Sequence, residues 1–340
     1  MELERLAPDR KVTGEFLVQP DTTLAKLFNI LHLSPSPPLP LDSAVSSHLM
    51  TPASTPRATT PLSDVSDGAM AVLDRIGTNP ELIQDKPGTL PMLLIHDGGG
   101  TALAYRLLGN VGRTVIGIHS PGLHEGKGII SIRHAADEYA TLARQWLNQY
   151  SPRRPQLLVG GWSLGGTIAI ALAAAHPDLI AGVILLDPPP PETAAMKSDE
   201  AERLIPGGNT RSSGGFSALV HTQLQLNAQS LSVDADHQGG HRDLVTNLNA
   251  PVYLISAIEP LNHQGSEETN LISRGSCSEW MLSRERASMA EGAWSDILGK
   301  FLIGTKRTAG DHFTMFTHAH AASTTKAVQQ AADTLEARLE

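Results

Sequence analysis

The sequence predicts an α/β protein built on a mostly parallel, doubly wound sheet, and three observations carry that prediction. Short apolar runs alternate with longer helical runs from residue 89 onward, with connections long enough to cross over from one strand to a parallel neighbour. One apolar run, Leu157–Gly160, leads through Gly161-Trp162-Ser163-Leu164-Gly165 straight into a helical run of small residues. Another ends at His96 and opens into Asp97-Gly98-Gly99-Gly100.

In chain order, residues 1–33 carry one helical pattern, Thr23–Leu33, with Leu24, Leu27, Phe28 and Leu31 at helical spacing. Residues 34–68 are dense in Pro, Ser and Thr and offer too little apolar surface to offset the entropy of ordering. Residues 1–68 therefore read as an N-terminal arm with a disordered linker, and 69–340 as the folded domain. Glu81–Gln84 reads as an entry strand, Thr89–His96 as a buried strand, Thr101–Val111 as a helix and Thr114–Ile118 as the next strand. Ser131–Tyr150 is a long amphipathic helix, with Ala135, Tyr139, Leu142 and Trp146 on one side. The strand before Ser163, the helix after it to Ala175, and the strand Ala181–Leu186 follow. Residues 188–249 break the rhythm with Pro188–Pro191, a weak helical pattern over Phe216–Leu226 and paired glycines; an insertion of that length between core strands reads as a lid. Pro251–Ile255 and Phe301–Thr305 resume the sheet, and a helix bearing Val328, Ala331, Ala332, Leu335 and Leu339 closes the chain.

Composition narrows the function classes. The 340 residues are 41% hydrophobic with a formal net charge of -9, so no basic surface for nucleic acid is expected. Cys277 is the single cysteine, which fits a reducing compartment. No apolar run reaches the ~18 residues of a membrane span, and the N-terminus lacks a signal-peptide pattern. A soluble, cytoplasmic protein is expected, with no membrane and no nucleic-acid partner.

Gly161-x-Ser163-x-Gly165 between a strand and a helix is the pattern of a nucleophile elbow, and it specifies the fold class as the α/β-hydrolase fold. The sharp turn strains the serine backbone and lifts its Oγ above the sheet, and the flanking glycines let strand and helix approach. The Leu164 N–H at the helix start then points where an oxyanion would form. The triglycine supplies backbone N–H groups nearby, so Gly98 and Gly99 are candidates for the second oxyanion donor. No phosphate-loop or dinucleotide spacing accompanies it.

A serine nucleophile needs a base and the base an orienting acid. Of fourteen histidines, His312 follows the last strand after a short loop, where this topology puts its base. His318 and His320 lie in or beside the closing helix, and His96 could line the pocket. Two acids compete: Asp187 at the end of the strand after the elbow helix, and Glu259 after the following strand, the more usual position. Position favours Glu259; rigid delivery by Val183–Leu186 with Pro188 behind it favours Asp187. No metal site and no cofactor is expected.

Four motifs in order, Ile95-His96-Asp97-Gly98-Gly99-Gly100-Thr101, Gly160-Gly161-Trp162-Ser163-Leu164-Gly165-Gly166, Leu185-Leu186-Asp187-Pro188 and Gly310-Asp311-His312-Phe313, resemble the thioesterase domains at the C-termini of fungal polyketide synthases and non-ribosomal peptide synthetase-like enzymes. The resemblance covers roughly residues 80–335 and implies Ser163 as nucleophile, His312 as base and Asp187, rather than Glu259, as acid. Leu164 departs from the alanine usual in that family and keeps the backbone donor. The resemblance further implies a serine thioesterase of secondary metabolism, releasing or editing a polyketide-type or peptidyl acyl chain presented on the phosphopantetheine of an acyl carrier protein or synthase. Residues 1–60 hold no phosphopantetheine attachment motif, so action in trans is expected. The other readings are a free-standing esterase or lipase, a cyclising acyltransferase, and a non-catalytic binding protein.

Overall fold

The computed structural model describes residues 79–150, 155–191, 223–224, 226–227, 244–261 and 279–339. The arm at 1–68, the domain start at 69 and most of the lid at 188–249 lie outside the described residues.

Seven strands form one sheet: β1 (Glu81–Gln84), β2 (Met92–Ile95), β3 (Val115–Ile118), β4 (Leu157–Trp162), β5 (Ile180–Leu186), β6 (Val252–Ala257) and β7 (Leu302–Thr308). Their order is β1-β3-β2-β4-β5-β6-β7, and every pairing is parallel except β1 with β3. The entry strand thus sits at an edge, and the chain winds outward in both directions from β2 and β4. The helices are α1 (Ile132–Tyr150), α2 (Leu164–Ala175), α3 (Glu279–Leu282), α4 (Arg286–Leu298) and α5 (Ala321–Glu336).

Two apolar layers cover the sheet. One joins Tyr139 and Trp146 of α1, Ile168 and Leu172 of α2, and Trp294 and Leu298 of α4 to Leu93, Val159, Val183 and Leu254 of the strands. The other packs Tyr105, Val328, Ala331 and Leu335 against Leu94, Leu158, Ile184 and Ile255. Central strands β2 to β6 are buried on both faces, which is why they read as unbroken apolar runs rather than alternating ones.

Two elements differ from the sequence reading. The helix expected over Thr101–Val111 is a short 3-10 helix, Leu103–Leu107, which ends where Leu108 turns to extended backbone at ψ 133°. The closing helix ends at Glu336, so Leu339 lies beyond it and is exposed. Helices α3 and α4, between β6 and β7, have no counterpart in the reading: Arg286, at the start of α4, is buried, and small residues dilute its apolar stripe. Within the stretch read as a lid, the described residues 223, 224 and 226 are helical where the weak pattern placed a helix, and 227 extends it by one residue.

Candidate active site

The strand β4 ends at Trp162, and Ser163 turns the chain at φ 56°, ψ -122° into α2. That backbone is strained for a residue with a Cβ, and it persists because both flanks are packed. A Cβ on Gly161 would strike the backbone of Gly165, and one on Gly165 would strike the carbonyls of Ile95 and His96. Strand, turn and helix therefore fit only with glycine at both positions. Tyr105 braces the junction: its hydroxyl donates to the Ile95 carbonyl at 2.6 Å and accepts the Trp162 N–H at 2.8 Å, tying the ends of β2 and β4 together.

Ser163, His312 and Asp187 converge at the C-terminal edge of the sheet. Ser163 Oγ lies 3.1 Å from His312 Nε2, and His312 Nδ1 lies 2.7 Å from Asp187 Oδ2. Both bonds are satisfied together when Nδ1 carries the proton, which leaves Nε2 free to accept from the serine. Asp187 follows β5 at φ 47°, the second positive-φ residue other than glycine among the described residues. Its Oδ1 accepts the Ala257 N–H at 3.0 Å, and Oδ2 also accepts from Arg286 at 2.7 Å. Burial pushes the Asp187 carboxyl upward, but the His312 hydrogen bond and charge and the Arg286 guanidinium outweigh it, and the group lies below its usual range. His312 is enclosed by aromatic rings: Trp162 at 5.4 Å, Trp280 edge-on at 5.6 Å and Phe313 edge-on at 5.0 Å between centroids.

Glu259 is not brought to His312. Its Oε1 accepts the Gly310 N–H at 3.1 Å and its backbone N–H donates to Gly310, so it braces the turn that carries the histidine. His320 packs against Gly310, and His318 lines a groove on the far helix face. His96 is buried and neutral: its ring bonds the Asp97 carbonyl and the Tyr139 hydroxyl, each at 2.6 Å, and burial pulls its pKa down to about 4.

The structure separates the two candidate amides of the triglycine. The Gly99 N–H donates to Asp97 Oδ1 at 2.8 Å and the Gly100 N–H to the Asp97 carbonyl at 3.1 Å. The Gly99 amide is thus engaged by a carboxylate, whereas the Gly98 amide is not. Among the described residues, neither the Gly98 nor the Leu164 N–H has a protein acceptor. The Leu164 side chain is buried in the apolar layer with α1. Residues 223 and 227 contact this loop and its surroundings: Asn227 donates to the Gly98 carbonyl at 2.9 Å and accepts the Ile129 N–H at 2.9 Å, while Gln223 donates to Ser120 Oγ at 3.2 Å. Asp97, Tyr105, Asn227 and Arg286 all support the site and none was read from the sequence. Of these only Asp97 stands inside a motif.

Among the described residues no cluster of His, Cys, Asp or Glu is arranged to hold a metal ion, and no helix is long and apolar enough to cross a membrane.

A family model described as the alpha/beta hydrolase fold matches residues 91–207, a stretch that includes β2 to β5 and the turn at Ser163. The chain has the α/β-hydrolase fold. Its relatives include the atrochrysone carboxylic acid synthase PKS4 of Calonarius odorifer, 46% identical over 79% of this chain and 16% of that protein. The nonribosomal peptide synthetase imqB of Aspergillus flavus is 41% identical over 38% of this chain and 4% of its own length. The thioesterase frbD of a Dothideomycetidae species is 29% identical over 75% of this chain and 94% of that protein. The chain thus spans only a small part of the two synthases and nearly the whole of a thioesterase. The likeness to fungal thioesterases that the four motifs carry extends across the α/β-hydrolase domain.

Proposed function

We propose that this α/β-hydrolase is a serine thioesterase that releases a polyketide-type acyl chain from the phosphopantetheine arm of a carrier protein. The observation that carries the reading is the unbroken chain of hydrogen bonds from Ser163 through His312 to Asp187. The substrate class is supported by the synthases and thioesterases to which the chain is similar.

In the first step Ser163 Oγ attacks the thioester carbonyl and His312 Nε2 takes the hydroxyl proton. Asp187 orients the ring and balances the imidazolium. The oxyanion accepts from the N–H groups of Leu164 and Gly98; loss of one such donor typically costs about 100- to 1000-fold in rate. The C–S bond breaks and the pantetheine thiol leaves with the proton from His312. Water then attacks the Ser163 ester, again deprotonated by His312, and the free acid departs as Ser163 regains its proton. Thioesters suit this site because the leaving thiolate needs little protonation, so the histidine's main task is activation of the nucleophile. The polar, glycine-rich lid sequence favours water as the acceptor over an internal hydroxyl or carbanion of the substrate.

The test is turnover of an acyl thioester loaded on a carrier protein in oxygen-18 water. A free acid with one heavy oxygen is expected. An unlabelled cyclic product would replace hydrolysis by ring closure. Rapid cleavage of p-nitrophenyl esters with no action on the carrier thioester would replace the thioesterase by an esterase.

A further inference from the structure

Asp187 has a second partner that acyl transfer through Ser163 does not require. Arg286, the first residue of α4, donates Nη2 to Asp187 Oδ2 at 2.7 Å, the same oxygen that takes the His312 Nδ1 bond. Its Nη1 donates to the Ala257 carbonyl at 2.7 Å, and the Ala257 N–H returns to Asp187 Oδ1. The guanidinium lies 4.5 Å from the centroid of the Trp280 ring, which stands nearly perpendicular to the His312 ring. Both charged side chains are sealed from water, at 0% and 1% exposure.

An arginine keeps its proton throughout the working pH range, so the acid of this site is paired with a permanent cation before any chemistry begins. The imidazolium that forms when His312 accepts a proton must arise within two hydrogen-bond lengths of that cation. A buried ion pair gains little for folding, because desolvation offsets its attraction. Its placement on the oxygen that faces the base gives it a consequence for the base.

We propose that Arg286 is a positioning residue of the acyl-transfer site, which fixes the Asp187 carboxylate for His312 and extends the working range of the Ser163–His312 pair toward lower pH. The inference rests on Ser163, His312 and Asp187 acting together as described under the proposed function. Three donors, from Ala257, His312 and Arg286, occupy the carboxylate, so it has one orientation available. The Arg286 charge opposes the imidazolium and so favours the neutral, proton-accepting ring. Among the described residues, the ionisable groups on the neighbouring loops face elsewhere: Glu259 holds the Gly310 N–H, Asp311 caps Phe313 and Thr314, and His320 packs on Gly310. A single charge at such range moves a titration by about 1–3 pH units, and the cation here acts through a shared oxygen, so about one unit is expected.

The test follows the second-order rate at which a fluorophosphonate labels the full chain, from about pH 5 to about pH 9, by intact mass. Wild type, Arg286→Gln, Arg286→Lys and Ser163→Ala are compared, with circular dichroism to follow folding. The acid limb of Arg286→Gln should move up by about one pH unit, while Arg286→Lys, which retains the charge, should stay close to wild type. An unmoved limb in Arg286→Gln overturns the inference, and so does an equal shift in both variants. Recovery of both variants only in unfolded form would assign Arg286 to folding and overturn it as well. A wild type that takes no label, or a Ser163→Ala that still does, would instead strike the Ser163 reading on which the inference rests.

Discussion

Replacing Asp187 by Asn should damage both catalysis and stability, for reasons that lie in three hydrogen bonds. The carboxylate accepts from Ala257 N–H on Oδ1 and from His312 and Arg286 on Oδ2. An asparagine has one acceptor oxygen and one donor nitrogen. Turned one way, its amide faces both His312 Nδ1 and Arg286; the ring must move its proton to Nε2, and Ser163 loses its base. Turned the other way, it faces the buried Ala257 N–H. The wrong tautomer of a triad histidine costs about 10⁴-fold in kcat. Arg286 meanwhile keeps its buried charge with no counter-ion, a change that typically costs about 3–5 kcal/mol. For a domain of this size about 3 kcal/mol corresponds to a fall in Tm of about 6–12 °C. Glu259→Gln keeps the acceptor for Gly310 N–H and should stay within a few-fold of wild type. The assay is steady-state hydrolysis of an acyl N-acetylcysteamine thioester, with Tm from scanning calorimetry on the same preparations. An inactive Glu259→Gln beside an active Asp187→Asn would refute the assignment of the acid. An inactive Asp187→Asn with unchanged Tm would refute the account of the buried pair.

Two further outcomes follow from the supporting residues. Burial pushes the Asp97 carboxyl up to about 6, so the folded state holds its proton more tightly than the unfolded chain does; that advantage is complete below the ordinary carboxylate range and is lost as pH rises through about 6. Asp97→Asn keeps the acceptor for Gly99 N–H and never ionises, so it should be more stable than wild type by about 2–3 kcal/mol at about pH 8 and gain nothing at about pH 4; denaturant titration at both pH values checks this, and a pH-independent difference would contradict it. Tyr105→Phe leaves the Ile95 carbonyl and the Trp162 N–H without their shared partner and should lower stability by about 2 kcal/mol, with a loss of kcat beyond the fraction unfolded; an unchanged Tm would show that the brace is idle.

What the sequence made legible follows from where physical constraints are local. A strand buried on both faces must be apolar throughout, so β2 to β6 were readable within a few residues. The elbow was readable because the Gly161–Gly165 approach lies within two residues of Ser163, although the Gly165 contact with Ile95 and His96 is long-range. Supporting residues depend on contacts that the sequence does not display. Arg286 meets Asp187 across 99 positions, and Asn227 meets Gly98 across 129. A buried arginine at a helix start reads as an ordinary surface residue until its partner is known. Gly98 and Gly99 looked equivalent in the motif, and only the Asp97 side chain, which takes one amide and not the other, separates them. The choice between Asp187 and Glu259 was likewise open on position alone; the structure brings Asp187 to the His312 ring and leaves Glu259 at the base of the loop.

In the proposed function Ser163 carries the acyl group during turnover. The most direct measurement is acid quenching of the full chain during turnover of an N-acetylcysteamine thioester, followed by intact-mass analysis and peptide mapping. One acyl adduct per chain is expected, on the peptide that contains Ser163, with neither adduct nor turnover in Ser163→Ala. An adduct on any other residue, or thioester hydrolysis undiminished in Ser163→Ala, would contradict the proposed function.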